Sequence, residues 1–523
     1  MFMTPFLVTI LLSSHFLYTT SSASSVQCQN RRPAPFKRRF ASTAVDNQIE
    51  KVVNDLISKN QSTLACIFAN CLPNTLDTTV LQYSTKPNGT TFIITGDINA
   101  MWLRDSMNQV LPYMDFLSSD SQLKLMIEGL ILKQTELVLA DPYANAHNIP
   151  DIAGPSPNVN DQTTYPGFGP SRSDAMVPGI FERKYELDSL CAFLKLSNEY
   201  YTVTKNLKLF QSAQWVQAVE LVLKVMKDMQ SSTAASFVQD GGPTYQFQRQ
   251  AFAPTDTLLH GVGHPAASTG MVKSAFRPSD DATTLPFLIP ANAMAVVELR
   301  KTATIIQALM HSCDGKGSSD CDGISSSSIT FSKKMLNGLS DEMMLMAKTI
   351  DAGIQKFGIG VHPLTGMKQY AYEADGFGNM YYADDANVPS LLSLPYLGYV
   401  DATDSIYINT RNFVLSPNNP WYFSGKAGAG IGGPHVGINS IWPMSIIMQA
   451  LTSSDSEEIT NCVELLIDST ANTGLMHESF SKDNVGDYTR PWFAWANSLF
   501  GELVLKVYNS KNVKKLNRVM NGQ

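Results

Sequence analysis

The chain carries carboxylates in three settings suited to proton transfer. Two are doublets, Asp280–Asp281 in "RPSDDATT" and Asp384–Asp385 in "YYADDANVPS". The third is Glu478 in "MHESF", between His477 and Ser479. Neighbouring carboxyl groups resist ionising together, and burial adds to this, so one can stay protonated while another acts as a base. An acid and a base placed across a bond are what glycoside hydrolysis needs. Adjacent residues need not face each other, however, and Asp also caps helices and pairs with cations. The doublets alone therefore do not define a site. Further candidates stand nearby in sequence: Trp102, Arg104 and Asp105 in "AMWLRDS", Arg277 ahead of the first doublet, and His435 in "GGPHVGINSIWPM".

Other chemistries find little support. There is no Gly-x-Ser-x-Gly and no HExxH, and the eight His do not cluster at ligand spacing, so neither metal nor cofactor is expected. "GAGIGG" is glycine-rich but lacks the Lys-Ser/Thr ending and the preceding strand of a phosphate loop.

Helical periodicity must position these residues. It predicts helices over 46–72, 105–118, 121–141, 182–204, 211–229, 286–309, 330–356, 387–397, 401–414, 440–452, 455–472 and 491–508. Strand signals are weak and local, as in "TTFIIT" and "TYQFQR". Counted in order, the odd helices follow ordinary turns. The even ones follow segments dense in aromatics, Gly, His, Arg and carboxylates, and the segments named above are among them. A dozen helices with this alternation suggest six helical hairpins closed into a toroid, the all-α (α/α)6 barrel, with the even helices inside. Their N-termini would then point free N–H groups and partial positive charge into one pit. Aromatic rings there would stack on sugar C–H faces, and carboxylates would accept from hydroxyls.

Composition agrees with a folded globular chain: 523 residues, 44% hydrophobic and 16% charged, with a net charge of −7. No basic stripe suggests nucleic acid, and no stable protein partner is implied. The organisation expected is a signal peptide or N-terminal anchor over 1–25, a linker over 26–45, and one helical catalytic domain over 46–515. The basic cluster "RRPAPFKRRF" falls in the linker, solvated or serving as a processing site. The leader suggests the secretory pathway, with a secreted or lumenal destination, and the sequons at Asn60 and Asn88 agree. That route permits disulfides. Cys313 could pair with Cys321, and Cys66 with Cys71 or another cysteine, while Cys191 and Cys462 read as buried thiols.

Six blocks in order carry a family pattern: "TGDINAMWLRDSMNQVLPY", "ERKYELDSLC", "GMVKSAFRPSDDATTLPFLIPAN", "YYADDANVPSLLSLPYLGY", "GGPHVGINSIWPM" and "TGLMHESF…RPWFAWANSLFGELV". Over about 90–505 the chain resembles glycoside hydrolase family 125, the metal-independent exo-α-1,6-mannosidases. The resemblance implies an (α/α)6 barrel, a mannose-containing oligosaccharide, glycan or mannan as substrate, and inversion at the anomeric carbon. It implies Glu478 as the base and either Asp280 or Asp281 as the acid. Trp102, Arg104, Asp105, Arg277, Asp384, Asp385, His435 and His477 would then serve substrate binding. Another inverting glycosidase on the same barrel, trehalase-like or glucoside-cleaving, and a non-catalytic mannan-binding protein are the alternatives. Insertions such as the Ser/Gly-rich 311–328 segment depart from the family pattern without touching the chemistry.

Overall fold

A computed structural model describes residues 28–149, 158, 160–163, 179–239, 243–312, 324–326 and 329–509. The leader and the proposed Cys313–Cys321 pair lie outside them. Fourteen α-helices occur among the described residues; apart from the short Asn74–Thr78 and Thr233–Gln239 they are α1 (Thr43–Ser58), α2 (Ser62–Cys71), α3 (Leu103–Asn108), α4 (Ser121–Ala140), α5 (Leu187–Thr204), α6 (Ala213–Met229), α7 (Ile289–His311), α8 (Lys333–Phe357), α9 (Ser405–Val414), α10 (Pro443–Leu451), α11 (Ser456–Ser469) and α12 (Ala494–Asn509).

Two kinds of helix can be told apart by burial. In α1, Val45, Ile49, Val52 and Leu56 form one buried stripe, and the other faces meet solvent; α6, α8 and α11 follow the same rule. In α5 every residue from Leu187 to Asn198 is buried, and α7 is buried from Ile289 to Leu299. A helix buried on all sides must be surrounded by others. Accordingly α5 packs against α3 and α7, α7 against α8, and α10 against α11. At the far end of the chain, α12 packs against α2, α3 and α10.

Capping follows the same division except at α6, where Ser212 makes no side-chain cap bond. Ser42, Asp120, Ser332, Asp404 and Asp455 cap α1, α4, α8, α9 and α11 with side-chain oxygens. The helices α3, α5, α7 and α10, buried all round at their starts, begin at Trp102, Glu186, Leu288 and Trp442, and none of these makes a side-chain cap bond. Short strands lead into them instead. Ala100–Trp102, Ala146–Asn148 and Ile180–Glu182 form one antiparallel sheet. Phe287–Leu288, Glu373–Ala374 and Met380–Tyr381 form a second. Ser440–Ile441, Ser479–Ser481 and Asn484–Thr489 form a third. The chain is predominantly helical, with small sheets that an all-helical reading did not anticipate.

Three expectations are corrected. The stretch 46–72 is broken at Asn60, whose φ of 61° lies in the left-handed region and ends α1. The stretch 387–397 is a run of turns rather than a helix. Pro389 and Pro395 cannot donate to a helical ladder, and Asp384 accepts the N–H groups of Leu391 and Leu392 at 2.8 and 2.9 Å. Residues 28–42 are not a loose linker. Arg32 bonds Asp77 at 2.7 Å, Arg38 meets Asp46 at 3.2 Å, and Cys28 is joined to Cys66 in a disulfide. Cys71 is thus an unpaired buried thiol, like Cys191 and Cys462. Among the described residues no helix is long and apolar enough to cross a membrane.

Candidate active site

A cavity lies where α3, α10 and α12 begin. The cap residues of α3 and α10, Trp102 and Trp442, line it, as does Trp495 in the first turn of α12. Trp442 and Phe493 meet edge to face at 6.2 Å between ring centroids, and Phe493 lies 6.3 Å from Trp495, giving one wall of aromatic faces. Opposite in character are Arg104, Asp105, Asp280, His435, Glu478 and Arg490, which also reach the cavity.

One guanidinium organises the polar side. Arg104 Nη1 donates to Glu186 and lies 3.4 Å from Asp188 Oδ2, while Nη2 lies 3.2 Å from Asp280 Oδ1 and 3.4 Å from Asp105 Oδ2. Its carbon sits 5.8 Å above the Trp495 ring. Four carboxylates thus surround one buried cation, and they cannot all ionise cheaply. Burial pushes Asp105 and Asp188 up to about 6 despite Arg104. Burial drives Glu186 well above the usual carboxylate range, against Arg104, with Asp280 and Asp188 adding to the rise. Asp280 goes the other way. Burial alone would raise it, but Arg104, a hydrogen bond from Glu186, Lys184 and His435 hold it well below the usual range.

The two aspartates of the first doublet face different ways. Arg277 N–H donates to Asp281 O and Asp280 N–H to Arg277 O, closing a tight turn in which Asp280 has φ 66°. A non-glycine residue in that region carries strain of roughly 1–3 kcal/mol. The turn exposes the Asp280 side chain to the cavity. It buries Asp281, which accepts from Ser279 Oγ at 3.0 Å and lies 3.7 Å from His435 Nδ1. Burial raises Asp281, with the Asp385 charge adding to the shift and His435 opposing it. Glu478 follows β-strand pairing rather than a helix start. It precedes strand Ser479–Ser481, and Arg490 Nε holds its Oε1 at 3.2 Å.

Not every candidate reaches the cavity. Arg277 is buried with Glu373 at 2.7 Å and lies over the Tyr372 and Tyr381 rings, bracing the turn from behind. Asp384 is consumed by the Leu391 and Leu392 N–H groups. Asp385 accepts from Asn387 and from Ser279 Oγ, both cavity residues, and so acts behind the surface. His477 is stacked on Tyr488 at 3.7 Å, with its two ring nitrogens against the carbonyls of Arg490 and Thr470. It fixes the strand turn that carries Glu478 and does not touch the cavity. Conversely, Asn145, Glu186, Asn387, Trp442, Arg490 and Trp495 had not been singled out. All but Asn145 stood inside the quoted blocks, and Asn145 lies in "YANAHN", which carries no chemical signature.

Five buried polar atoms on residues lining the cavity have no hydrogen-bond partner: Nε1 of Trp102, Trp442 and Trp495, Arg104 Nε and Asp105 Oδ2. Orphaned buried donors and acceptors are costly and uncommon. Four donors and an acceptor beside aromatic faces fit a ligand rich in hydroxyl groups. Among the described residues no cluster of three or more His, Cys, Asp or Glu could hold a metal ion.

Comparison with known proteins agrees with this geometry. Residues 61–505 match the model of a family described as metal-independent alpha-mannosidase (GH125). The meiotically up-regulated gene 157 protein of Schizosaccharomyces pombe is 43% identical over 491 residues, 92% of this chain and 89% of that protein. A Streptococcus pneumoniae metal-independent alpha mannosidase, solved in a non-productive complex with alpha-1,6-mannobiose, is 34% identical. It superposes with a TM-score of 0.76 over 93% of this chain and 100% of that one. A glycoside hydrolase site and a family match across most of the chain lead to one conclusion: this protein belongs to glycoside hydrolase family 125, the metal-independent α-mannosidases.

Proposed function

We propose that the protein removes single terminal α-1,6-linked mannose residues from a mannose-containing glycan, with inversion, on a six-hairpin (α/α)6 toroid. The observation that carries this reading is the cavity that Asp280 and Glu478 line together, with five unpartnered polar atoms on its lining residues. The mannobiose bound by the pneumococcal relative supports the 1,6 linkage.

In the reaction, Glu478 takes a proton from a water molecule and Arg490 keeps its carboxylate aimed. The water oxygen bonds to the anomeric carbon as the bond to the glycosidic oxygen breaks. Asp280, rather than Asp281, delivers a proton to that departing oxygen, because its carboxylate reaches the cavity and that of Asp281 turns away. Asp281 orients Ser279 and His435. Trp102, Arg104, Asp105 and His435 grip the terminal sugar. A water held between base and sugar requires carboxyl groups about 6.5–9.5 Å apart, against about 5–5.5 Å for retention.

A secretory destination is supported by the Cys28–Cys66 disulfide and by the exposed, turn-borne sequon residues Asn60 and Asn88. The deciding experiment is proton NMR of the first-formed sugar from α-1,6-mannobiose. Inversion releases β-mannose first. Initial α-mannose would remove Glu478 from the water-activating role. Turnover is expected to survive exhaustive chelation, and loss restored by Ca²⁺ or Zn²⁺ would contradict the scheme.

A further inference from the structure

Acid catalysis poses a problem in this site. The group that reaches the glycosidic oxygen must arrive with a proton, yet Asp280 sits against a guanidinium and an ammonium. Arg104 Nη2 is 3.2 Å from its Oδ1, and Lys184 Nζ donates to its backbone carbonyl at 2.7 Å. Cations this close favour the ionised carboxylate. The proton must therefore be kept elsewhere and close by.

Glu186 is placed for that task. It ends the strand-to-helix connection before α5, and its side chain has no exposure to solvent. Asn145 Nδ2 bridges the two carboxyl groups, 3.1 Å from Glu186 Oε1 and 3.3 Å from Asp280 Oδ1. Arg104 spans the same pair, one η-nitrogen on each. Ser189 Oγ donates to Glu186 Oε2 at 2.8 Å, so that oxygen is occupied by donors and Oε1 is the one that turns to Asp280. The groups facing this pair are Arg104, Asp105 and Asp188 from the α3 and α5 starts, Lys184 and Glu182 from the preceding strand, and His435 from the opposite loop. Lys184 is shared with Asp256 at 3.0 Å and Glu182 with Arg249 at 2.8 Å, which leaves Arg104 as the one cation directly on the Glu186 carboxyl.

Resting on the reading of Asp280 as the acid, we propose that Glu186 stores the catalytic proton and passes it through Asp280 to the leaving group. Glu186 Oε1–H is donated to Asp280 Oδ1, and Asp280 protonates the glycosidic oxygen as its bond to the anomeric carbon breaks. Glu478 meanwhile gains the proton lost by water. Afterwards Glu478 releases one proton to solvent and the Glu186–Asp280 pair regains one, so charge and atoms balance over the cycle. Two coupled carboxyl groups with one proton between them titrate as a unit, and burial keeps that proton on the inner member. Glu186 touches no substrate; it is a positioning residue that also holds the proton.

Leaving-group dependence tests this. Glu186→Gln keeps shape and hydrogen bonding but has no transferable proton. Its kcat/KM on α-1,6-mannobiose should fall by roughly 100-fold or more, the usual worth of acid catalysis. On 2,4-dinitrophenyl α-mannoside, whose leaving group needs no proton, the fall should be less than about tenfold. A residue that merely braces Arg104 would harm both substrates alike, and that result overturns the proposal. Asp280→Asn is measured alongside. If it shows no leaving-group dependence, the acid assignment itself fails; if it does and Glu186→Gln does not, only the storage role fails. Should the amide variant not fold, Glu186→Asp retains a carboxyl while withdrawing it from Asp280. It should show the same selective loss in smaller measure, and equal loss on the two substrates again overturns the proposal.

Discussion

Replacing Arg104 by Met removes the cation at the centre of four carboxylates while keeping much of its volume. The consequence can be worked out as a pH dependence. Asp105 and Asp188 have folded-state values near 6, well above the usual value for Asp of about 3.9. Groups raised on folding hold protons that the unfolded chain has already shed. The contribution of these two groups to stability therefore falls as pH climbs from about 4 and levels off past about 6, where both are ionised in the folded and unfolded states. Without Arg104 the remaining carboxylates repel unopposed, and at least one keeps its proton through pH 8. Each proton that the variant retains and the parent sheds widens the stability gap by about 1.4 kcal/mol per pH unit, or about 2.7 kcal/mol from pH 6 to 8. At about 2.1 cal/mol/K per residue, a 523-residue chain unfolds with an entropy near 1.1 kcal/mol/K, so the gap in Tm should grow by about 2–3 °C. Scanning calorimetry of both proteins at pH 6, 7 and 8 measures this. A gap that stays constant, or narrows as pH rises, would show that Arg104 does not neutralise the cluster.

Three further outcomes are expected. Glu478→Gln should lower kcat by roughly 10²–10⁴-fold while mannose binding, followed by calorimetry, persists, since the amide keeps the shape but takes no proton; unchanged turnover would dismiss Glu478 as the base. Replacing Cys28 and Cys66 together by Ser opens a loop of 38 residues, worth at most about 4 kcal/mol. The thermal midpoint should drop by a few degrees with activity at 25 °C retained, and an unshifted midpoint would mean that the ion pairs of Arg32 and Arg38 hold the segment alone. A Cβ at Gly433 would stand 3.1 Å from the Asp385 carboxylate, so Gly433→Ala should shift Asp385 by a few tenths of an ångström against Ser279 and Asn387. A full ångström of misplacement can cost about 100-fold in rate, so a smaller fall in kcat/KM is expected with Tm nearly constant; full activity would place Asp385 outside the working site.

Much of this site could be read in the chain because its residues recur just before the buried helices, where Asp, Trp and Arg together exceed what capping requires. Trp102, Asp105, Asp280 and His435 reach the cavity on that logic, and Glu478 reaches it from the start of a strand instead. What escaped has definite causes. Asp384 and Asp385 read alike in sequence, but backbone N–H groups claim the first, while Asn387 and Ser279 claim the second. The apolar run at 387–397 keeps a helical look, and only the chemistry of Pro389 and Pro395 tells against it. Strands of two or three residues, such as Phe287–Leu288, are too short to show a period of two. Asn145 matters because of where its sheet brings it, between Glu186 and Asp280, and no local pattern encodes that.

The packing of α12 against α3 has a consequence for biogenesis. Arg104 is made early in the chain and Trp495, the ring beneath it, near the end. A chain paused during synthesis at residue 490 already contains Asp280 and Glu478, yet Arg104 has no aromatic floor and the aromatic wall lacks two of its rings. The cavity is thereby incomplete until the last helix has docked. Loss of that single helix through proteolysis would dismantle the cavity wall without touching Asp280 or Glu478.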